Sequence, residues 1–236
     1  MPLITPHIFD IPYTTRPVPR DLIPIVSTTP SEAAAEVAVE TPAATATNIN
    51  DADHEKIHIL WVGCSDSSIL ETDVLDVPRD EMFVHRNLGH VLSNGDLSTL
   101  SALEWCVELL KVDHIVVCGH HGCSLVPGEE TSTVNMWYKD AAKLHDLNSQ
   151  QLSEENPALD EKTLRRRFEE RYVLAEVAWL KRQPKVKKAM EERGMQVYAF
   201  VYDDDQGDCV QLIPSREGLT NDIQEGYDNG LVGHEF

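Results

Sequence analysis

The sequence predicts an α/β fold, a Rossmann-like and mainly parallel four-stranded sheet plus an edge strand, flanked by helices. Three observations carry this reading. Ile57–Gly63 and His114–Cys118 are short, nearly continuous apolar runs, as in strands buried on both faces. Between them Leu97, Leu100, Leu103, Val107 and Leu110 recur at spacings of three and four, the period of a helix face. Strand, helix and strand in that order imply a right-handed crossover and therefore parallel pairing.

The remaining elements follow in order. Met82–His85 reads as a second short strand. Asp96 is placed to cap the helix that begins at Leu97, and Lys111 falls in its last turn, where a cation suits the helix dipole. Val134–His145 reads as a helix, and Asn156-Pro157 interrupts the helical region that follows. Asp160–Arg182 is a longer helix. Its Leu164, Phe168, Tyr172, Ala175 and Trp179 keep the period, and Val173, Val177 and Leu180 widen the stripe, so it is expected to be covered on more than one side. Pro184 ends it. A last helix runs to Arg193 with Gly194 past its end. Gln196–Tyr202 and Cys209–Ile213 form a hairpin around the acidic turn Asp203–Asp208. The tail after Pro214 is expected to pack little. Residues 1–55 are rich in Pro, Thr and Ala and read as an extended N-terminal arm, with a short helix over Ser31–Val39; residues 56–236 form the domain proper.

Composition narrows the function. The net charge is −20, from 20 Lys plus Arg against 40 Asp plus Glu, which disfavours nucleic acid and anionic lipid as partners. No apolar stretch is long enough for a membrane span. Of the five cysteines, Cys106, Cys118 and Cys209 lie in apolar surroundings and read as buried hydrophobes, so a reducing compartment is expected. The first ten residues lack a secretory pattern. The cytoplasm is the expected location, with a mitochondrion as the alternative.

The chemistry concentrates at two strand ends. Cys64 and Asp66 follow the first apolar run, in Gly63-Cys64-Ser65-Asp66-Ser67-Ser68. His120 and Cys123 follow the later one, in Cys118-Gly119-His120-His121-Gly122-Cys123. Ligands of open parallel sheets sit at that edge. Two thiolates and one imidazole are a zinc set with one place open, and thiolates select zinc over magnesium or calcium. Three readings stay open on these residues alone: core cysteines, a structural zinc, or a zinc site of catalytic descent. His121 reads as a packed or pocket-rim residue, and His85 as a hydrogen-bonded strand end. His90 carries no recognisable pattern. Asp203-Asp204-Asp205 reads as a solvated turn, since it lacks the spaced oxygens of a calcium loop.

The segments Cys64-Ser65-Asp66-Ser67, His85-Arg86-Asn87 and Cys118 through Cys123 together resemble the β-class carbonic anhydrases, over about Ile59 to Leu212. The resemblance implies zinc held by Cys64, His120 and Cys123. It also implies reversible hydration of carbon dioxide to bicarbonate, and a homodimer that often pairs further into tetramers. Ser68, Gly119 and Ser124 would border the substrate pocket.

The sequence departs from the family in one respect that matters. There the first motif reads Cys-x-Asp-x-Arg, and the Arg holds the Asp off the metal; here Ser68 stands at the Arg position. A hydroxyl cannot reproduce the two-pronged ionic pairing of a guanidinium. The expectation is that Asp66 acts as the gate, entering the fourth metal position to give a closed Cys₂HisAsp shell. Ser124, where the family has Gly, would narrow or polarise the pocket. Two functions are carried forward: a zinc carbonic anhydrase of low or pH-gated activity, and a catalytically inactive zinc-binding homologue acting as a scaffold or binding bicarbonate or a partner. Hydrolysis of another heterocumulene on the same scaffold is a third.

Overall fold

A computed structural model describes residues 12–19, 57–124, 133–139 and 159–215. The strands are β1 (Tyr13–Pro17), β2 (Ile59–Cys64), β3 (Met82–Asn87), β4 (His114–His120), β5 (Gln196–Asp203) and β6 (Asp208–Pro214). They form one sheet in the order β1-β6-β5-β4-β2-β3. β3, β2, β4 and β5 run parallel, and β6 returns antiparallel to β5, as the hairpin pattern predicts. The sixth strand, β1, was not foreseen. Tyr13–Pro17 has no apolar alternation and is mostly exposed, so it joins the sheet through backbone pairing with β6 rather than through burial.

Both faces of the parallel strands are covered, which explains their continuous apolar runs. All six residues of β2 are buried. Leu60, Val62, Ile115, Val117, Ala199 and Val201 point to one side, where Val173, Val177 and Leu180 pack. Ile59, Trp61, Val116, Cys118 and Phe200 point to the other, with Ile69 and Leu75. The alternation is the strand period of two, read on a doubly buried sheet.

The helices are α1 (Glu71–Leu75), α2 (Leu97–Glu104), α3 (Thr133–Trp137), α4 (Glu161–Arg182) and α5 (Pro184–Arg193). Asp96 caps α2 as predicted, accepting from the Thr99 amide at 2.9 Å. Asp160 does the same for α4 through Thr163 at 2.8 Å. The stretch expected as one helix to Leu110 changes pitch, because Trp105–Leu109 forms a π-helical turn. Lys111 then adopts φ 53°, and the carbonyls at this end are met from outside, by Arg193 donating to Val107, Lys111 and Val112. Pro184 opens α5 at its first position as well as closing the preceding run. The helix expected over Val134–His145 is seen as α3, and its later residues lie outside the described ones, as do Ser31–Val39 and the tail beyond Ser215. No described helix is long and apolar enough to cross a membrane.

The chain passes from β2 outward to β3, then back across to β4 on the other side of β2. The loops leaving β2 and β4 therefore diverge at a topological switch point, the crevice where open α/β sheets bind ligands. The register aligns Gly63 with Cys118, so Cys64 and His120 emerge from adjacent strand tips at the same edge.

Candidate metal centre

Strand geometry brings together the three residues that the sequence singles out. The donor atoms of Cys64, His120 and Cys123 all lie within 4.8 Å of one another. The two sulfurs are 3.9 Å apart. A tetrahedral ion with Zn–S bonds of about 2.3 Å sets its sulfurs about 3.8 Å apart. Both ring nitrogens of His120 are buried, and among the described residues the side chain that acts on them most is the Cys64 thiol. A buried imidazole with so little to satisfy it is rare and calls for an explanation. Cys64 is held far below the ordinary thiol range, chiefly by its hydrogen bond with Cys123, which together with His120 and the Asp66 amide outweighs burial. These features fit a soft divalent cation: a thiolate-forming pair, and an imidazole with its lone pair unspent.

The loops are braced from behind. Cys64 Sγ accepts from the Gly89 amide at 3.2 Å and the Asp66 amide at 3.4 Å. Arg86 secures the Cys64 loop by donating to the carbonyls of Cys64 at 3.0 Å and Ile69 at 2.7 Å, and it pairs with Glu71 at 2.7 Å. It is thus spent on the scaffold and does not engage Asp66. The Cys123 loop is held by α4. Glu169 accepts from the Gly122 amide at 3.1 Å, and Arg165 donates to the Cys123 carbonyl. His121 turns away from the metal position into this brace, 3.2 Å from Glu169 and 3.5 Å from Glu170. Burial opposes its protonation, yet the two carboxylates hold the imidazolium and raise its pKa to about 9. Tyr13 of β1 donates to Glu170, so the edge strand reaches the same brace. His85 bonds Thr99 at 3.1 Å, the strand-end role expected of it.

Asp66 is beside the cluster but does not join the three donors. Its Oδ2 accepts from the Ser124 amide at 2.8 Å and the Ser124 hydroxyl at 2.7 Å. Those two bonds, the hydroxyl first, lower its pKa below the usual carboxylate value. Ser68 points elsewhere, donating to Asp204 at 2.6 Å. Asp204 Oδ2 is in turn 3.9 Å from His120 Nδ1. The acidic turn is therefore not simply solvated. Asp203 is buried and takes both prongs of Arg166 at 2.6 and 2.8 Å. Gly119 has no room for a side chain, since a Cβ there would collide with Val173 and come 3.2 Å from the His90 ring. A cleft of about 570 Å³ is lined by His121, Lys162, Arg166 and Asp203–Asp205; it lies against the brace and touches none of the three donors.

Sequence reasoning missed several residues. Glu169 and Arg165 sit in an ordinary helical charge pattern, and nothing in it shows which loop they face. Ser124, expected to narrow or polarise the pocket, has a further role that the sequence does not show, as the partner of Asp66. His90 and Tyr138 are buried near the cluster, and among the described residues their side-chain polar atoms have no hydrogen-bond partner.

Residues 59–209 match the family model described as carbonic anhydrase. The carbonic anhydrase of Candida albicans is 31% identical over 166 residues, 68% of this chain and 58% of that protein. The chain thus spans well under two thirds of that relative's length. One of two tetrameric β-carbonic anhydrases from Sordaria macrospora is 31% identical with a TM-score of 0.59, over 68% of this chain and 82% of the other. A β-carbonic anhydrase of Aspergillus fumigatus is 30% identical with a TM-score of 0.62, over 71% and 82%.

Proposed function

The chain belongs to the β-carbonic anhydrase family, and from that premise we propose that it is a zinc-dependent carbonic anhydrase, hydrating carbon dioxide reversibly to bicarbonate, with activity gated by Asp66. The observation that carries the proposal is the Cys64–His120–Cys123 donor set, three soft ligands gathered at the switch point. Cys64, His120 and Cys123 would hold the ion. Zinc in such a set supplies Lewis acidity, which brings the pKa of water from about 9 beside the aqueous ion to about 7 in an enzyme site.

The chain's own residues set when that acidity is usable. Asp66 Oδ2 is engaged by Ser124, while Oδ1 has no hydrogen bond to a described residue. Oδ1 would face solvent beside a bound ion or would itself ligate that ion. Ser124 favours the first state with two neutral donors where the family uses a guanidinium. Neutral donors hold a carboxylate less firmly than an ionic fork does. The gate would therefore be weaker, and activity would be low or would rise with pH. Gly119 keeps the floor beside His120 free of a side chain.

The inactive-homologue reading is favoured by one observation, the diversion of Ser68 to Asp204. Stopped-flow hydration on zinc-quantified protein, from about pH 7 to 9, separates the two. Activity above the uncatalysed rate, increased by Ser68→Arg, supports the enzyme. Zinc-loaded protein with no hydration at any pH, in both forms, refutes it. We further propose an assembly of two chains or of two such pairs, in the cytoplasm. The Sordaria relatives are tetrameric, and Leu97 and Leu109 expose 77% and 62% of their surface here.

A further inference from the structure

Three side-chain polar atoms beside the metal centre have no hydrogen-bond partner among the described residues. His90 is 5% exposed and Tyr138 is 5% exposed. The Nδ1 and Nε2 atoms of His90 and the hydroxyl of Tyr138 make no hydrogen bond. Each such group gives up its solvation on burial and gains no hydrogen bond in return. Three in one place is a concentration that packing alone does not explain.

Their placement points at the metal centre. Gly89, whose amide donates to Cys64 Sγ at 3.2 Å, lies under Tyr138 so closely that a Cβ on Gly89 would collide with the hydroxyl. Cys123, Cys64 and Asp66 lie close enough to act electrostatically on Tyr138, as do Cys64 and His120 on His90. His90 stands over Gly119, the residue before His120. The two rings share one aromatic pocket, where His90 lies 5.2 Å from the ring of Tyr172 and Tyr138 packs in the same apolar group. Tyr172 itself bonds Glu176, so its hydroxyl is already used. His90 also holds φ 47°, the left-handed region that a residue with a side chain seldom occupies. A backbone outlier of this kind persists where the surroundings impose it, and such outliers gather at functional sites. Burial keeps the His90 ring neutral, with a pKa of about 4, so it presents one donor and one acceptor.

We propose that Tyr138 Oη and the His90 ring form a polar wall that hydrogen-bonds bicarbonate at the open metal place. The ligand is small, planar and anionic, with a hydroxyl and two charged oxygens. A phenol donor and an imidazole that can both donate and accept match that set. The wall also gives Gly89 and Gly119 a purpose, since each lets a ring approach the ligand loops.

This inference rests on the metal reading, and the test separates the two. Cobalt(II) is loaded into the full-length protein, and bicarbonate is titrated by the visible spectrum at a fixed pH above neutrality. Tyr138→Phe keeps the ring and removes a hydroxyl that has no partner among the described residues. It is expected to weaken bicarbonate binding about tenfold, the loss of one hydrogen bond to an ion, while chemical unfolding shows stability unchanged or raised. His90→Asn, a residue that tolerates the same φ, is expected to weaken binding by about threefold or more. Normal cobalt–thiolate bands with bicarbonate affinity within about twofold of wild type in Tyr138→Phe would overturn the wall alone. Absence of those bands in the wild-type protein would overturn the metal reading and this inference with it.

Discussion

Removing one hydroxyl tests whether Ser124 has taken over the restraint of Asp66. Ser124→Ala keeps the backbone amide, which donates to Asp66 Oδ2 at 2.8 Å, and deletes the hydroxyl bond of 2.7 Å. A hydrogen bond to a charged group contributes about 1.5–3 kcal/mol when shielded. Asp66 is exposed, so water replaces part of that, and about 1 kcal/mol is a reasonable share. One kcal/mol shifts the balance between held and released carboxylate about fivefold. The assay is carbon dioxide hydration by stopped flow on protein of verified zinc content. Ser124→Ala is expected to lose about fivefold in kcat near neutral pH and less at higher pH, where hydroxide displaces the carboxylate. Adding Ser68→Arg should restore the rate, because a guanidinium at position 68 supplies the same restraint more firmly. Equal rates in wild type and Ser124→Ala across the pH range would refute the reasoning, and so would a double variant no faster than the single.

The other predictions concern binding and stability. Cys123→Ala should lose stoichiometric zinc, read by atomic absorption after gel filtration, and should unfold at lower denaturant, because metal binding contributes to folding; retained zinc would remove Cys123 from the donor set. Glu176 is buried and its pKa is raised to about 7, chiefly by burial and against the hydrogen bonds from Leu92 and Ser93. The folded state therefore holds a proton that the unfolded chain releases near pH 4.5, so stability should fall as pH rises from that value to about 7, by roughly 3 kcal/mol at most. Urea unfolding of Glu176→Gln should lack this slope, and an unchanged slope would assign it to another group. Gly119→Ala should destabilise by about 1–3 kcal/mol, since the added Cβ collides with Val173 and crowds His90; a wild-type melting curve would show that the strand tip yields.

The sheet was legible because burial on both faces leaves a plain mark. A strand such as Ile59–Cys64 has no solvent side, so its sequence is continuously apolar. The cap at Asp96 was legible for a local reason, since it needs only the backbone three residues ahead. Strand β1 was not legible: Tyr13–Pro17 is recruited by the free edge of β6, and edge pairing asks little of side chains. The π-helical turn was hidden because Trp105–Leu109 has ordinary helix-forming residues, and the change of pitch is decided by how Cys106 and Val107 meet the core.

The candidate site divides along the same line. Cys64, His120 and Cys123 could be picked from sequence because thiolates and an imidazole at strand ends carry their chemistry in their identity. The fate of Asp66 could not, since it depends on a competition among neighbours that the sequence places far apart. Reading position 68 alone leaves the carboxylate without a donor and sends it to the metal. The folded loops bring in position 124, 58 residues after Asp66, and its amide and hydroxyl together occupy one carboxylate oxygen. Ser68 meanwhile is drawn to Asp204, itself near His120. The two serines, at positions where the resemblance implies an arginine and a glycine, engage different acids. A lost ion pair in a site of this kind is not read from the vacated position; it is read from which donors the fold can bring to the orphaned charge, and here a residue on the opposite ligand loop is close enough to hold it.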